Sequence, residues 1–230
     1  MSQDHLLSAI KEALREHHYK MLRPSRGVFQ ADVYLLNIDG QYVVVKDFSN
    51  RPWLSRILVC RSLVKREVKV LEAFGTSGFL PQYFGRISDD IFAMEFLEGE
   101  HPGRRNRGKW PQAYQQAREF LELFHKKGYC HNDFRRNNVL IQPDGSVRFF
   151  DFAAAIKKPQ RFQKLLFVWM WLIGVMQRAD MTSLLKMKYD LSGEPLTTEE
   201  RLLLKKPKWV RVLQRLWTNG INKPILRRFK

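Results

Sequence analysis

The amino-acid sequence predicts an α+β fold of two lobes, a small N-terminal lobe built on an antiparallel sheet and a shortened, mainly helical C-terminal lobe. Strand-like apolar runs with turn signals between them dominate the chain before Leu97, and apolar residues at helical spacing dominate after it. A loop signal rich in glycine and proline, residues 99–103, separates the two parts. We therefore divide the chain into residues 1–97 and 98–230.

The N-terminal lobe begins with a helix, because Leu6, Leu7 and Ile10 recur at helical spacing. Four strand-like runs follow: Phe29–Asn37, Tyr42–Lys46, Phe79–Ile87 and Ile91–Phe96. Asp39-Gly40 predicts a tight hairpin between the first two. The segment Arg61–Phe74 is predicted as a helix with Glu67 in the middle of its apolar face. A carboxylate in that position is costly unless it is paired.

The C-terminal lobe is predicted to contain a helix from Pro111 to about Gly128, where glycine favours a helix end. A short hairpin follows, with strands Val139–Ile141 and Val147–Phe150 and a turn at Asp144-Gly145. The apolar run Leu165–Met176 is shorter than the roughly 20 residues that span a bilayer, so we interpret it as a buried core helix.

The composition of the 230 residues, 44% apolar and 13% aromatic, is globular and argues against disorder. Cys60 and Cys130 lie far apart without metal-ligand spacing, so neither a zinc site nor a disulfide framework is predicted. The first residues lack the order of a secretory signal. We expect a reducing cytoplasm.

The formal charge of +17, from 40 Lys and Arg against 23 Asp and Glu, predicts an anionic partner, whether nucleic acid, anionic lipid or phosphorylated glycan. The tail, residues 201–230, contains ten Lys or Arg and no Asp or Glu. Its apolar residues recur at helical spacing: Trp209, Val212, Leu213, Leu216 and Trp217. Such a helix could pack on the C-terminal lobe or dock on an anionic membrane, with Lys205, Lys206, Lys208, Arg211 and Arg215 facing the lipid.

One stretch carries the strongest chemical signal. His131, Asp133 and Asn138 fit the pattern His-x-Asp-x-x-x-x-Asn, and the predicted hairpin then leads to Asp151-Phe152. This order resembles the protein-kinase signature. The chemistry explains the residue types, since phosphoryl transfer needs a carboxylate that orients the attacking hydroxyl and oxygen ligands that hold magnesium.

The resemblance implies a role for each residue. Asp133 would be the catalytic base, and Asn138 and Asp151 would bind magnesium. Lys46, at the end of a strand, would neutralise the α- and β-phosphates of ATP, and Glu67 would hold its ammonium. His131 is expected to be a structural hydrogen-bonding residue of the loop rather than a proton-transfer group.

Motif order, small size and basic character also resemble the lipopolysaccharide kinase family, the Kdo kinase and WaaP-like proteins, and more distantly the RIO-type atypical kinases. The resemblance covers roughly Phe29 to Met176. It implies ATP and magnesium as cofactors and a sugar hydroxyl of the lipopolysaccharide inner core as acceptor. It also implies a peripheral location at the cytoplasmic face of the inner membrane.

The sequence departs from the kinase pattern in three places. The segment 25–31, where a glycine-rich phosphate loop belongs, holds a single glycine, Gly27, and Ala153 follows Asp151-Phe152 in place of glycine. Only a short connector separates Ala153 from the next helix, and no Ala-Pro-Glu follows, so a peptide-docking activation segment does not fit. A glycolipid kinase is preferred; the alternatives are a RIO-like or tRNA-modification-associated kinase that binds RNA, and an inactive binding module of the same fold.

Overall fold

The computed structural model describes residues 3–159, 166–192 and 195–204. The helices are α1 (Gln3–Arg15), α2 (Trp53–Ser55), α3 (Arg61–Phe74), α4 (Trp110–Lys126), α5 (Leu166–Ser192) and α6 (Thr198–Leu204). The strands are β1 (Lys20–Arg23), β2 (Asp32–Ile38), β3 (Gln41–Asp47), β4 (Tyr83–Ser88), β5 (Ile91–Glu95), β6 (Tyr129–Cys130), β7 (Val139–Ile141), β8 (Val147–Phe149) and β9 (Ile156–Lys157). The predicted amphipathic tail helix begins beyond the described residues.

An antiparallel sheet of five strands in the order β1-β2-β3-β5-β4 forms the N-terminal part of the molecule. The hairpin predicted at Asp39-Gly40 joins β2 to β3, and both residues have positive φ, 50° and 85°. That conformation matches the right-handed twist of the two strands. Two short antiparallel pairs, β7 with β8 and β6 with β9, lie further along the chain.

Successive side chains of β3 point to opposite faces of the sheet. Val43 and Val45 belong to a small apolar cluster with α1, whereas Val44 belongs to the main core with α3 and α4. Lys46 continues the Val44 side and therefore faces α3. The sheet thus lies between α1 on one face and α3 on the other.

The helix predicted over Arg61–Phe74 is α3, with the predicted bounds. It follows α2 through a π-helical turn, Arg56–Cys60, which changes the face that the helix presents to the protein. Glu67 is only 2% exposed, among the buried apolar residues of α3.

Several strand predictions need correction. The run predicted from Phe29 becomes a strand only at Asp32, because residues 28 and 29 form a turn. Strand β1 was not predicted, because its four residues are all exposed and show no alternation. The run predicted from Phe79 becomes a strand only at Tyr83, since Pro81 has no backbone N–H to donate to a ladder. The hairpin of β7 and β8 was predicted correctly except that β8 ends at Phe149 instead of Phe150.

The segment Leu165–Met176 is predicted as a buried core helix. Its described part is helical, but most of its described side chains are not buried. The segment opens α5, which continues to Ser192, and Ile173 is the buried residue among the described positions 169–176. Met170 and Trp171 are about half exposed, and the helix packs against α4, β6 and α6 in the described part of the chain. Of the helices that the structure describes, none has the length and apolar character needed to cross a membrane.

The α+β architecture with an antiparallel sheet and packed helices agrees with the sequence prediction. The main core joins α3, α4 and the β7–β8 hairpin, with Phe120 stacked on Phe149 at a centroid distance of 4.3 Å. The division into lobes at Leu97 stays a prediction.

Candidate active site

A buried ion pair joins the sheet to α3. The Nζ of Lys46 lies 2.6 Å from the Oε1 of Glu67, with side-chain exposures of 7% and 2%. Burial alone would lower the pKa of Lys46, but the carboxylates of Glu67 and Asp151 outweigh it and raise the pKa above its ordinary value. Lys46 is therefore a fixed positive charge, as expected of a group that neutralises phosphates.

Asp151 completes this buried cluster from the opposite side. Its Oδ1 lies 3.6 Å from the Nζ of Lys46, and the Lys46 ammonium holds the pKa of Asp151 below its usual range. Asp151 has a left-handed backbone, φ 67°, which is uncommon for a residue with a side chain. Burial raises the pKa of Glu67, and the Lys46 ammonium and the backbone N–H of Phe152 oppose that rise, so the chain after β8 lies beside α3. The result is an ionised carboxylate beside a fixed cation.

The second cluster forms in the turn before β7. The Nδ2 of Asn138 donates to the backbone oxygen of Asp133 at 2.8 Å and to its Oδ2 at 3.1 Å. The N–H of Phe150 donates to the backbone oxygen of Asn138 at 3.2 Å, which brings this turn beside Asp151. Five of the six predicted site residues thus come together in two adjacent clusters.

Arg135 is a site residue that the sequence analysis missed. Its guanidinium lies 2.9 Å from the Oδ2 of Asp133, and it is 61% exposed. A mobile cation beside the candidate base could stabilise negative charge on a transferring phosphoryl group. The only sequence signal was its position two residues after Asp133.

Asp180, in the middle of α5, was also missed. Its carboxylate accepts from the backbone N–H of His131 at 2.7 Å and of Asn132 at 2.9 Å, and it is 2% exposed. The ring of His125 lies 3.2 Å from the same carboxylate. Asn132 has φ 62°, so Asp180 secures a loop conformation that the backbone would not readily adopt. Asp180 is a positioning residue for the loop that carries Asp133.

His131 is a structural hydrogen-bonding residue of the loop, as expected, but through its backbone N–H and not through its ring. The ring packs against Phe134 and Phe152 and is fully buried. Neither ring nitrogen has a hydrogen-bond partner among the described residues. Burial lowers the pKa of His131, so the ring is neutral at pH 7. Only the backbone of His131 takes part in the hydrogen bonding of the loop.

A cavity of about 340 Å³ opens beside these clusters. Lys46 and Asp151 line it together with the segment Glu95–Leu97. Its apolar walls come from both the sheet and the hairpin: Leu22, Val33, Val44, Met94 and Leu140. A ligand with a flat apolar ring fits between such walls, with its charged groups directed toward Lys46.

Gly27 lies in the turn between β1 and β2, within the segment 25–31 where a phosphate loop was expected, but it is not among the residues that line the cavity. Its carbonyl accepts from Gln30 at 3.2 Å, and a side chain added at Gly27 would meet open space. The neighbouring Arg23 does line the cavity. A role for Gly27 in phosphate binding stays a prediction.

The donor set suits magnesium bound together with a nucleotide. The described residues contain no group of three or more His, Cys, Asp or Glu that could hold a metal ion by themselves. Asp151 and Asn138 supply one carboxylate and one amide oxygen. Mg²⁺ characteristically binds in this way, with few protein oxygens, waters and substrate phosphates.

No protein-family model matches the chain. Individual curated proteins, however, are similar to part of it. The chain is 24% identical over 147 residues to the dual specificity protein kinase zakA of Dictyostelium discoideum, covering 58% of this chain and 17% of that protein. It is 33% identical over 106 residues to MAP kinase kinase kinase SSK2 of Saccharomyces cerevisiae, covering 41% of this chain and 7% of that protein.

A third relative is mitogen-activated protein kinase kinase kinase 1 of Arabidopsis thaliana, 27% identical over 141 residues, which are 56% of this chain and 23% of that protein. The chain therefore spans less than a quarter of each of these three relatives. These partial similarities support a kinase-like fold and, at a coarse level, a phosphotransferase function. They also fit a general use of ATP and magnesium.

Proposed function

We propose that the protein is an ATP- and magnesium-dependent kinase that transfers the γ-phosphoryl group to a sugar hydroxyl. The observation that carries this proposal is that Lys46 and Asp151 line one apolar cavity while Asn138 and Asp133 are hydrogen-bonded to each other in the adjoining turn. Each of these side chains has a separate task in phosphoryl transfer, and a purely structural cluster would not need a cavity next to it.

The chain's own groups account for the steps that a kinase must perform. Lys46, kept charged and immobile by Glu67, binds the α- and β-phosphates. Asp151 and Asn138 would hold magnesium, which when bound neutralises the charge on the phosphates. Asp133 orients the acceptor hydroxyl and accepts its proton, and Arg135 balances the charge of the departing phosphoryl group.

We further propose that the acceptor is an anionic glycolipid, the inner core of lipopolysaccharide, with Kdo or heptose as the phosphorylated sugar. Three features support this choice: the resemblance to lipopolysaccharide kinases, the charge of +17, and the exposed Arg135 and Arg136 beside Asp133. Only residues 158–165 connect β9 to α5, which leaves little chain for a peptide-docking segment. The protein would then work at the cytoplasmic face of the inner membrane.

A protein acceptor is the second candidate, as in a RIO-like kinase that also binds RNA. The names of the relatives favour it, since all three are described as protein kinases. The net charge fits RNA as well as an anionic lipid.

The experiment is a transfer assay with γ-labelled ATP and magnesium. Lipopolysaccharide from a strain that lacks this protein is offered in one arm, and generic protein substrates, with and without RNA, are offered in the other. Mass spectrometry should show one added phosphate on the core of the lipopolysaccharide, absent with Asp133→Asn. Labelling of protein alone would replace the acceptor proposed here by the second candidate. Absence of magnesium-dependent ATP binding would contradict the kinase proposal as a whole.

A further inference from the structure

Two short segments carry nearly half of the exposed large apolar side chains that the structure describes. Of the thirteen found among the described residues, six lie in two short segments, the turn before β2 and the helical stretch after β3. These six are Val28, Phe29, Trp53, Leu54, Ile57 and Leu58. Isolated exposed apolar residues are ordinary on protein surfaces, but a contiguous group marks an interaction site.

Contacts between the two segments make them one surface. The thiol of Cys60 lies 3.6 Å from the carbonyl oxygen of Val28. Arg51, just before α2, bonds to the hydroxyl of Ser25 and lies 2.7 Å from the carboxylate of Asp32. The helical stretch is therefore fixed beside the β1–β2 turn.

The outward direction of the apolar side chains is built into the helical stretch. Trp53, Leu54, Ile57 and Leu58 recur one and four residues apart, which places them on one face. The opposite face is engaged by the protein, since Cys60 is fully buried and Arg56 pairs with Asp90. Trp53 and Leu58 are 67% and 71% exposed although their neighbours are anchored.

Basic residues surround these apolar side chains. The segments 17–31 and 48–66 contain eight Lys or Arg and no Asp or Glu. Arg26, Lys65 and Arg66 are exposed. A surface with an apolar centre, a tryptophan and a basic rim is complementary to the interface of an anionic bilayer, where apolar side chains enter below the headgroups and cations meet them.

We propose that Val28, Phe29, Trp53, Leu54, Ile57 and Leu58, the docking surface, insert into the headgroup region of an anionic lipid bilayer. The β1–β2 turn that carries Val28 and Phe29 adjoins the cavity through Leu22 and Arg23. Docking would thus bring a lipid-anchored acceptor to the same side of the molecule as the cavity. That consequence rests on the function proposed above, whereas bilayer binding itself does not.

The experiment measures co-sedimentation of the full chain with vesicles of phosphatidylcholine alone and of phosphatidylcholine mixed with phosphatidylglycerol. The wild type should bind the mixed vesicles and bind the neutral ones much less. Trp53→Ser combined with Leu58→Ser should reduce the partition coefficient about tenfold or more, because two exposed apolar side chains no longer enter the interface. The matched control, Tyr189→Ser with Leu202→Ser, removes two exposed side chains elsewhere, 62% and 54% exposed, and should leave vesicle binding unchanged.

A second measurement tests insertion directly. Brominated acyl chains should quench part of the tryptophan fluorescence of the wild type, and Trp53→Phe should lose that part while keeping binding, since Phe still enters the interface. Equal quenching in both proteins would overturn the proposal.

Three further results would overturn it: no binding by the wild type, equal binding by the docking-surface variant, or loss of binding only with Lys205→Glu and Lys206→Glu in the tail. A dimer that dissociates in the docking-surface variant, without vesicle binding, would assign the surface to a second copy instead.

Asp133→Asn should bind vesicles like the wild type. Vesicle binding by a protein that transfers no phosphate would leave the docking surface standing and remove the kinase function.

Discussion

The two halves of the candidate site are built differently. Lys46 and Glu67, on the nucleotide side, are 7% and 2% exposed in their side chains and hold each other at 2.6 Å. Asp133 and Arg135, on the acceptor side, are 35% and 61% exposed. The nucleotide half is thus part of the folded core, whereas the acceptor half is held by its backbone and open to solvent.

This difference separates stability from turnover. A buried ion pair that loses one partner leaves an uncompensated charge inside the protein, which destabilises the fold. A carboxylate in contact with water can be replaced with little effect on folding. Substitutions in the two halves should therefore have opposite signatures.

The largest effect on turnover is expected from Asp133→Asn. The variant keeps the shape of the side chain but cannot accept the proton of the acceptor, so kcat should fall by about a thousandfold or more. The Kd for ATP should stay the same, because Asp133 acts on the acceptor, and the free energy of unfolding should change by less than about 0.5 kcal/mol. Steady-state kinetics, calorimetric ATP titration and urea unfolding measure the three quantities.

Asp39→Asn, in the exposed hairpin turn, is the control and should behave as the wild type. Equal losses of ATP affinity and turnover in folded Asp133→Asn would remove Asp133 from its role as base.

Lys46→Met should instead have its largest effect on stability. It leaves Glu67 buried without its closest partner, and the expected cost is about 3–5 kcal/mol in the free energy of unfolding. Lys46→Met combined with Glu67→Met removes both charges and should regain much of that loss. Urea unfolding measures both, and ATP binding should be lost in both.

The exposed Lys65 of α3 provides the control, and Lys65→Met should leave stability unchanged. If Lys46→Met proved as stable as Asp133→Asn, the contrast between a core-embedded and an open half would be wrong.

Asp180→Asn tests how much Asp180 contributes to holding the loop that carries Asp133, in the solvent-exposed half of the site. The amide has one acceptor oxygen where the carboxylate has two, so one of the backbone N–H groups of His131 and Asn132 loses a charge-assisted bond worth about 1.5–3 kcal/mol. If that energy is needed to hold Asp133 in place, kcat should fall about tenfold to a hundredfold. The KM for ATP should not change.

Asp190→Asn, on the exposed side of the same helix, should leave kcat unaltered. A uniform loss of stability without a specific fall in kcat would make Asp180 a structural residue only.

Local patterns in the sequence were enough to predict the elements that form by local rules. The Asp39-Gly40 hairpin, the α3 bounds and the β7–β8 hairpin each follow from turn chemistry or periodicity within about a dozen residues. The need of Glu67 for a partner was predictable because a carboxylate on an apolar helix face is costly unless it is paired. That the partner is Lys46 was implied by the resemblance to the protein-kinase signature.

Features that depend on distant packing were not predictable. Asp180 lies 49 residues from His131, and nothing in its own segment shows that two backbone N–H groups will meet it. The apolar run at the start of α5 gave no sign that Trp171 would face outward, because the periodicity of a uniformly apolar segment is ambiguous. That His131 bonds through its backbone and not its ring was likewise not predictable, since the aromatic side chains around the ring come from α4, its own loop and the chain after β8.

The smallest expected effect concerns the ring of His131, which touches both halves through Phe134 and Phe152. Burial lowers its pKa below the ordinary value of 6.5. As the pH falls below about 6.5, the unfolded chain therefore binds a proton at His131 that the folded protein does not, and stability is lost. Above that pH the ring is neutral in both states and contributes no pH dependence.

His131→Phe removes this proton uptake while keeping an aromatic ring in an aromatic pocket. The wild type should lose stability relative to the variant by about 1.4 kcal/mol per pH unit below about pH 6.5, until the folded ring itself is protonated. Urea unfolding from pH 7.5 to pH 5 measures the difference in slope, which is insensitive to any constant packing cost of the larger ring. Because the backbone N–H of residue 131 still donates to Asp180, turnover at pH 7.5 should also be retained within a few-fold.

Two outcomes would contradict this account of His131. Equal slopes in the variant and the wild type would mean that a ring nitrogen of His131 is stabilised in its charged form. A loss of turnover by orders of magnitude would give the imidazole a chemical role that its burial argues against.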